Sequence, residues 1–273
     1  MGTYSKLPFD VIYHICLAVQ DSNHKSLCNL SEVDRRTRLA CIPLLFEGMV
    51  FDPQWGERAI PWDGFPEMIE DIIGNSVILN TVRSFHFQPG VRNAKDWPIP
   101  TSFFKLLFAL PNLRHLALLL QDDYRHQVKC EFGLTDEEPI PTTRRKSLST
   151  LNSLMIMSPE WIFLSDCSPN LKTLDVVQSS PCDWDSPQAL DIDMAQLGRQ
   201  HPDLKEFHCS VTGIDKNIKE IATSLPSIQI LGLYGSGYSE PNGILASRLG
   251  FMADKATYCQ KRTTCTPTRT SNT

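Results

Sequence analysis

A six-position pattern recurs along the middle of the chain: apolar, two variable residues, apolar, one variable residue, apolar. It stands as Val82-x-x-Phe85-x-Phe87, Leu113-x-x-Leu116-x-Leu118, Leu151-x-x-Leu154-x-Ile156, Leu171-x-x-Leu174-x-Val176, Leu204-x-x-Phe207-x-Cys209 and Ile228-x-x-Leu231-x-Leu233. The alternating end has the period of two that a half-buried strand requires, so each copy predicts a short strand. Pro111, Pro169, Pro202 and Pro226 each stand two residues before the leading apolar residue of a copy. A strand tolerates proline there, because the missing N–H falls outside the ladder. Between the copies the period changes to that of a helix. Residues 66–79 carry Met68, Ile69, Ile72 and Ile73, and Thr101 can cap 103–109. Residues 188–199 carry Leu190, Met194 and Leu197, and Asp215 can cap 217–225 with Ile218, Ile221, Ala222 and Leu225 on one face.

Strand then helix, repeated, is the leucine-rich-repeat unit, with strands inside an arc and helices outside. The leading residues lie between 20 and 38 positions apart, so the array is irregular. The expected class is α/β, with an irregular leucine-rich-repeat solenoid over 49–235; another parallel sheet built of β–α units would leave a similar trace. In such a strand the apolar residues point inward and the variable ones outward. Stacking the copies then aligns Ser84 and His86 with His115 and Ala117, Ser153 and Met155, Thr173 and Asp175, Glu206 and His208, and Ile230 and Gly232. These rows mix charge, imidazole and apolar character, which suits a protein surface better than a phosphate groove. His86, His115, Met155, Asp175, Glu206 and His208 are the candidate contacts. Two interruptions, 121–149 and 179–187, read as long loops, the first with charge runs and the second with Trp184.

The first four dozen residues differ. Leu7-Pro8 opens a helix in which Val11, Ile15 and Val19 recur every four positions, with Pro8 tolerated in the first turn. A short second helix is expected over 24–30. Ser31 is the expected cap of a third, with Asp34 three residues on, and Pro43 is expected to end it. About 40 residues rarely bury enough surface to stand alone, so apolar residues on more than one face imply a second polypeptide.

The string Leu7-Pro8-Phe9-Asp10-Val11-Ile12, followed by Ile15, Leu27, Leu30, Val33, Arg35, Arg36, Arg38, Leu39 and Pro43-Leu44-Leu45-Phe46, resembles an F-box. With the irregular repeats behind it, the chain resembles the fungal-type F-box/leucine-rich-repeat family. That resemblance implies a three-helix F-box at 5–48. It implies docking to a Skp-type adaptor, and through it to a cullin, with Leu7, Pro8, Ile12, Ile15, Leu27 and Val33 as contacts. It also implies a non-catalytic substrate receptor of a ubiquitin ligase, whose repeats hold a protein target. The alternative is an interaction scaffold that sends nothing for degradation.

Charge and composition narrow the remaining classes. The net charge of −5 gives no reason to expect a nucleic-acid partner. No stretch approaches the roughly 20 apolar residues of a membrane span. The opening Met1–Lys6 lacks a secretory core and a myristoylation pattern, and nine cysteines fall in no pairing motif. Reduced thiols in the cytosol or nucleus are therefore expected. No P-loop, dinucleotide fingerprint, nucleophile elbow or zinc-helix motif is present, so no cofactor or metal is expected. Asp191 and Asp193 lie on a predicted helix, too close in sequence to share a face. His201 and His208 are expected near solvent at a strand edge. The residues from 236 to 273 end rich in Thr and Arg without an apolar period, which reads as a partly disordered tail and an altered end of the array.

Overall fold

The computed structural model describes residues 7–22, 24–51, 64–89, 97–134, 146–177, 192–210 and 220–234. Three helices come first: α1 (Phe9–Ser22), α2 (His24–Ser31) and α3 (Arg35–Phe46). They pack on one another around a small core of Ile12, Cys16, Leu27, Ala40, Cys41 and Leu44. Asp34, not Ser31, caps α3: its carboxylate accepts from the Thr37 N–H at 2.9 Å and from the Thr37 hydroxyl at 2.9 Å. Those two bonds hold the Asp34 carboxyl below its ordinary pKa. Ser31 instead closes α2, its hydroxyl donating to the Cys28 carbonyl at 2.6 Å. Pro43 does not end α3 either. The helix continues to Phe46, and the Gln20 side-chain amide donates to the carbonyl of Leu44 near its end. A proline inside a helix forfeits one bond, and the packing of Ala40, Cys41 and Leu44 against α1 and α2 offsets that loss.

A seven-stranded parallel sheet follows: β1 (Gly48–Phe51), β2 (Ser84–Phe87), β3 (His115–Leu118), β4 (Ser153–Ile156), β5 (Thr173–Val176), β6 (Glu206–Ser210) and β7 (Ile230–Tyr234). Each strand pairs with the next along the chain, so the spatial order is the sequence order. The molecule is thus of mixed α/β class. β2 to β7 coincide with the six copies of the apolar pattern. β1 carries a seventh copy, Phe46-x-x-Met49-x-Phe51, whose leading residue closes α3 and so reads as the end of the helical segment.

Parallel neighbours require crossovers, and the described ones are helical. α4 (Phe65–Ile73) and α5 (Ser76–Thr81) precede β2, and α6 (Thr101–Ala109) precedes β3. The single helix expected over 66–79 is broken at Gly74 and Asn75, where the Asn75 side chain accepts from the Val77 and Ile78 N–H groups and starts α5. The stretch 121–149, read as a loop, contains a 3-10 turn (Asp122–Tyr124) and α7 (Arg125–Phe132), which bury Tyr124, Val128 and Phe132. A 3-10 run (Pro159–Cys167) joins β4 to β5 and buries Trp161. α8 (Met194–Gln200) starts at the cap Asp193, so Asp193 is a capping residue; Asp191 lies outside the described residues, as do Trp184, Asp215 and the tail. A helical turn at 220–224 precedes β7. It approaches α8 so closely that a methyl group on Gly198 would strike the Ser224 carbonyl.

The large core lies between the sheet and its crossovers. Phe85, Phe87, Leu116, Leu118, Leu154, Ile156, Leu174, Val176, Phe207 and Cys209 face it from the strands, with Ile69, Phe103, Leu106, Trp161 and Leu197 opposite. Phe85, Phe87 and Phe103 pack ring on ring, with centroids 4.2 to 5.8 Å from Phe103. Every second strand residue is buried and its neighbours are not, as the burial pattern of β2 to β5 shows. Parallel sheets usually have both faces covered. Here the described crossovers bury only one set of strand residues. No helix among the described residues is long and apolar enough to cross a membrane.

Candidate functional site

Two surfaces merit attention, and each follows from how the elements pack. The first is the outside of the three helices. Leu7 is tied to α3 because its carbonyl accepts from the Arg36 guanidinium at 2.8 Å. The Arg38 Nε donates to the Ser31 carbonyl at 3.3 Å, fixing the α2–α3 turn. Inside, the Cys41 thiol donates to the Cys16 sulfur at 3.4 Å. Burial, reinforced by Cys16, pushes the Cys41 thiol up to about 12, so it acts as a small apolar group.

Of the six residues assigned to the adaptor by resemblance, four lie where a partner can reach them. Leu7 is half-buried and Pro8 exposed, Ile15 is exposed, and Val33 is 62% exposed. Ile12 and Leu27, at 1% and 0% exposure, lie instead in the helical core. Helical periodicity marks both sides of such short helices as apolar, and only packing tells inner from outer. Phe9, Val11, Leu17 and Leu39 complete the apolar exterior.

The second surface is the face of the sheet opposite the core. Strand register aligns Ser84, His115, Ser153, Thr173, Glu206 and Ile230 in one row. Two residues further along the strands, His86, Ala117, Met155, Asp175, His208 and Gly232 form a second row, begun by Val50 of β1. All six candidate target contacts therefore share one face, with His115 and Glu206 in the first row and His86, Met155, Asp175 and His208 in the second. That placement does not by itself give any of them a ligand.

Asp175, Glu206 and His208 form the polar centre of this face. The His208 Nε2 lies 3.9 Å from a Glu206 carboxylate oxygen, and Asp175 is the register neighbour of His208. Asp175 Oδ1 is buried with no hydrogen-bond partner among the described residues. Burial pushes its carboxyl pKa up, while the attraction of His208 opposes that rise. The imidazole lies over Gly232, where a methyl group would collide with it. Behind the sheet, Cys209 is buried, and burial with the nearby Asp175 charge pushes its thiol up to about 12. The site can thus accept hydrogen bonds and attract a cation, and its nearest thiol is held protonated in the core. No group of three His, Cys, Asp or Glu among the described residues could hold a metal ion.

His201 requires a correction. It is 4% exposed at the end of α8, not near solvent. Its ring nitrogens have no partner among the described residues, and burial lowers its pKa. Two residues that follow the strand-entrance prolines, three positions before β3 and β5, have a role the apolar pattern does not reveal. Asn112 and Asn170 follow Pro111 and Pro169, and their side-chain amides donate to the Asn80 and Ser149 carbonyls at 2.9 and 2.6 Å. The recurring Pro-Asn pair was the signal for them. No model of a known protein family matches the sequence, and no curated protein matches it.

Proposed function

We propose that the chain is a substrate receptor of a Skp/cullin/F-box ubiquitin ligase. In this reading residues 5–48 form an F-box that docks a Skp-type adaptor, and through it a cullin. Residues 49–235 form an irregular leucine-rich-repeat solenoid whose sheet face opposite the core takes a protein target. The chain supplies binding and the other subunits supply catalysis, in the cytosol or nucleus.

The observation that carries the reading is how the first helices divide their apolar residues. Six form a core of their own, and Phe9, Val11, Ile15, Leu17, Val33 and Leu39 stay outside it. Apolar side chains left outside the core of so small a unit are the kind of surface a protein partner covers. The same unit holds the Leu7-Pro8 opening and the arginine-rich start of α3 that carry the F-box resemblance. A parallel-sheet face that the described residues leave uncovered supports the second half, since such faces are normally covered.

Co-expression tests it. The full chain is expected to co-purify with a Skp-type adaptor. Ile15→Asp/Val33→Asp changes exposed positions outside the helical core, and should weaken adaptor binding by at least roughly tenfold with little change in thermal midpoint. Failure of the unaltered chain to bind the adaptor overturns the proposal. A protein captured on the sheet face should accumulate in cells lacking the chain; a captured protein whose level does not change would favour the scaffold.

A further inference from the structure

The residue before each strand has a fixed place in the backbone. The Arg83 carbonyl accepts the N–H groups of Arg114 and His115, that of Arg114 those of Asn152 and Ser153, and that of Asn152 those of Lys172 and Thr173. The Lys172 carbonyl accepts from Lys205 and Glu206, and the file continues to Glu47 at one end and Gln229 at the other, every bond being 2.8 to 3.0 Å. Arg83, Arg114, Asn152, Lys172 and Lys205 therefore stand in line across the sheet, beside the row of Ser84, His115, Ser153 and Thr173. Four cations in one line are conspicuous in a chain of net charge −5.

Arg114, Lys172 and Lys205 are exposed and make no ion pair among the described residues. Arg83 is half-buried, with its guanidinium donating to the Asn80 carbonyl at 2.8 Å. At the α3 end the line opens into a cavity of about 490 Å³, where Arg83, Arg114 and His115 outnumber one acid, Glu47, and Leu44 and Leu45 supply an apolar wall. Like charges held side by side by a backbone ladder repel one another until an anion lies between them.

We infer that this line is the contact for an acidic, extended segment of a partner protein. Its carboxylates meet Arg114, Lys172 and Lys205, and one end enters the cavity beside Arg83 and Leu44. Neighbouring strands lie about 4.8 Å apart, so the four steps from Arg83 to Lys205 span roughly 19 Å, the length of about six extended residues. Glu47 and Glu206 interrupt the positive surface. They would repel the continuous charge of a nucleic-acid backbone, whereas a peptide can space its carboxylates around them. The inference rests on the receptor reading for its use, since the segment would belong to the target; the binding itself needs only the sheet.

The test is fluorescence anisotropy of the full chain with a labelled peptide of about ten residues, Glu alternating with Ser, long enough to cross the line. Binding is expected, weakening as salt rises, and a Gln-for-Glu peptide should not bind. Arg114→Gln/Lys172→Gln/Lys205→Gln should weaken binding on the order of tenfold with an unchanged thermal midpoint, while Lys105→Gln on the outer helix α6 should leave it unchanged. Equal binding of the Gln peptide, or undiminished binding by the triple variant, overturns the inference. So does binding of a phosphoserine peptide or single-stranded RNA of the same length where the Glu peptide fails. Adaptor capture is measured in parallel on the same samples. An adaptor that does not bind beside a Glu peptide that does would remove the receptor reading and leave this contact standing.

Discussion

Gly232 and His208 show how a single side chain depends on its neighbour strand. The imidazole occupies the space that any Cβ at position 232 would need. Gly232→Ala must therefore displace His208 from between Glu206 and Asp175, at a cost of about 1–3 kcal/mol from overpacking. Thermal unfolding would register the loss, and His208→Ala in the same chain should recover most of it. Asp175 carries the complementary lesson. Its folded-state pKa is raised by burial, so between the ordinary value of 3.8 and the folded value the native state holds a proton that the unfolded chain has released. Stability from this group is complete below 3.8 and is lost as pH rises through the folded value. Asp175→Asn should raise the thermal midpoint near neutral pH and have little effect in acid. A midpoint that falls at neutral pH would mean that the pairing with His208 outweighs the burial cost.

Among the elements, the strands depend on the core and the helices on their ends. Leu154 is fully buried at the centre of β4, which pairs on both sides. Leu154→Ala should cost 2–5 kcal/mol, or about what a large core cavity costs, measured by denaturant unfolding. α5 is six residues long and buries none of them completely, so its start matters more than its face. Asn75→Ala removes the acceptor for two N–H groups and should cost about 1 kcal/mol, seen as faster hydrogen exchange across α5 rather than global unfolding. Strand existence was legible because a period of two survives in four-residue segments. Helix ends were less so. Ser31 and Asp34 are both good caps, and the choice between them depends on where α2 stops. Pro43 is locally a helix breaker, yet packing within the three-helix core keeps α3 helical through it. α7 and the 3-10 run at Pro159–Cys167 carry too little period to be distinguished from loop.

At the scale of the molecule, the three helices and the sheet meet where α3 packs on α5 and leads directly into β1. The apolar exterior of the helices and the strand-start cations face different partners in the proposed assembly. Variants on one should therefore leave the other's binding intact: Ile15→Asp/Val33→Asp should keep the acidic peptide, and Arg114→Gln/Lys172→Gln/Lys205→Gln should keep the adaptor. Pull-down and anisotropy on the same preparations would check both. Loss of both activities in either variant would point to one shared surface instead.

By itself the sequence determined six strands, their inward and outward residues, and so the two rows across the sheet, because alternation within a strand is a local property. It also determined that the first helices carry more apolar residues than one small core absorbs. Only the tertiary structure decided which of those residues are inside, placing Ile12 and Leu27 in the core and leaving Ile15 and Val33 out. It alone buried His201, brought His208 over Gly232, and opened a cavity between Leu44 of α3 and Arg83. Each of these depends on strands or helices far apart in the chain being brought into register, and no local pattern records that contact.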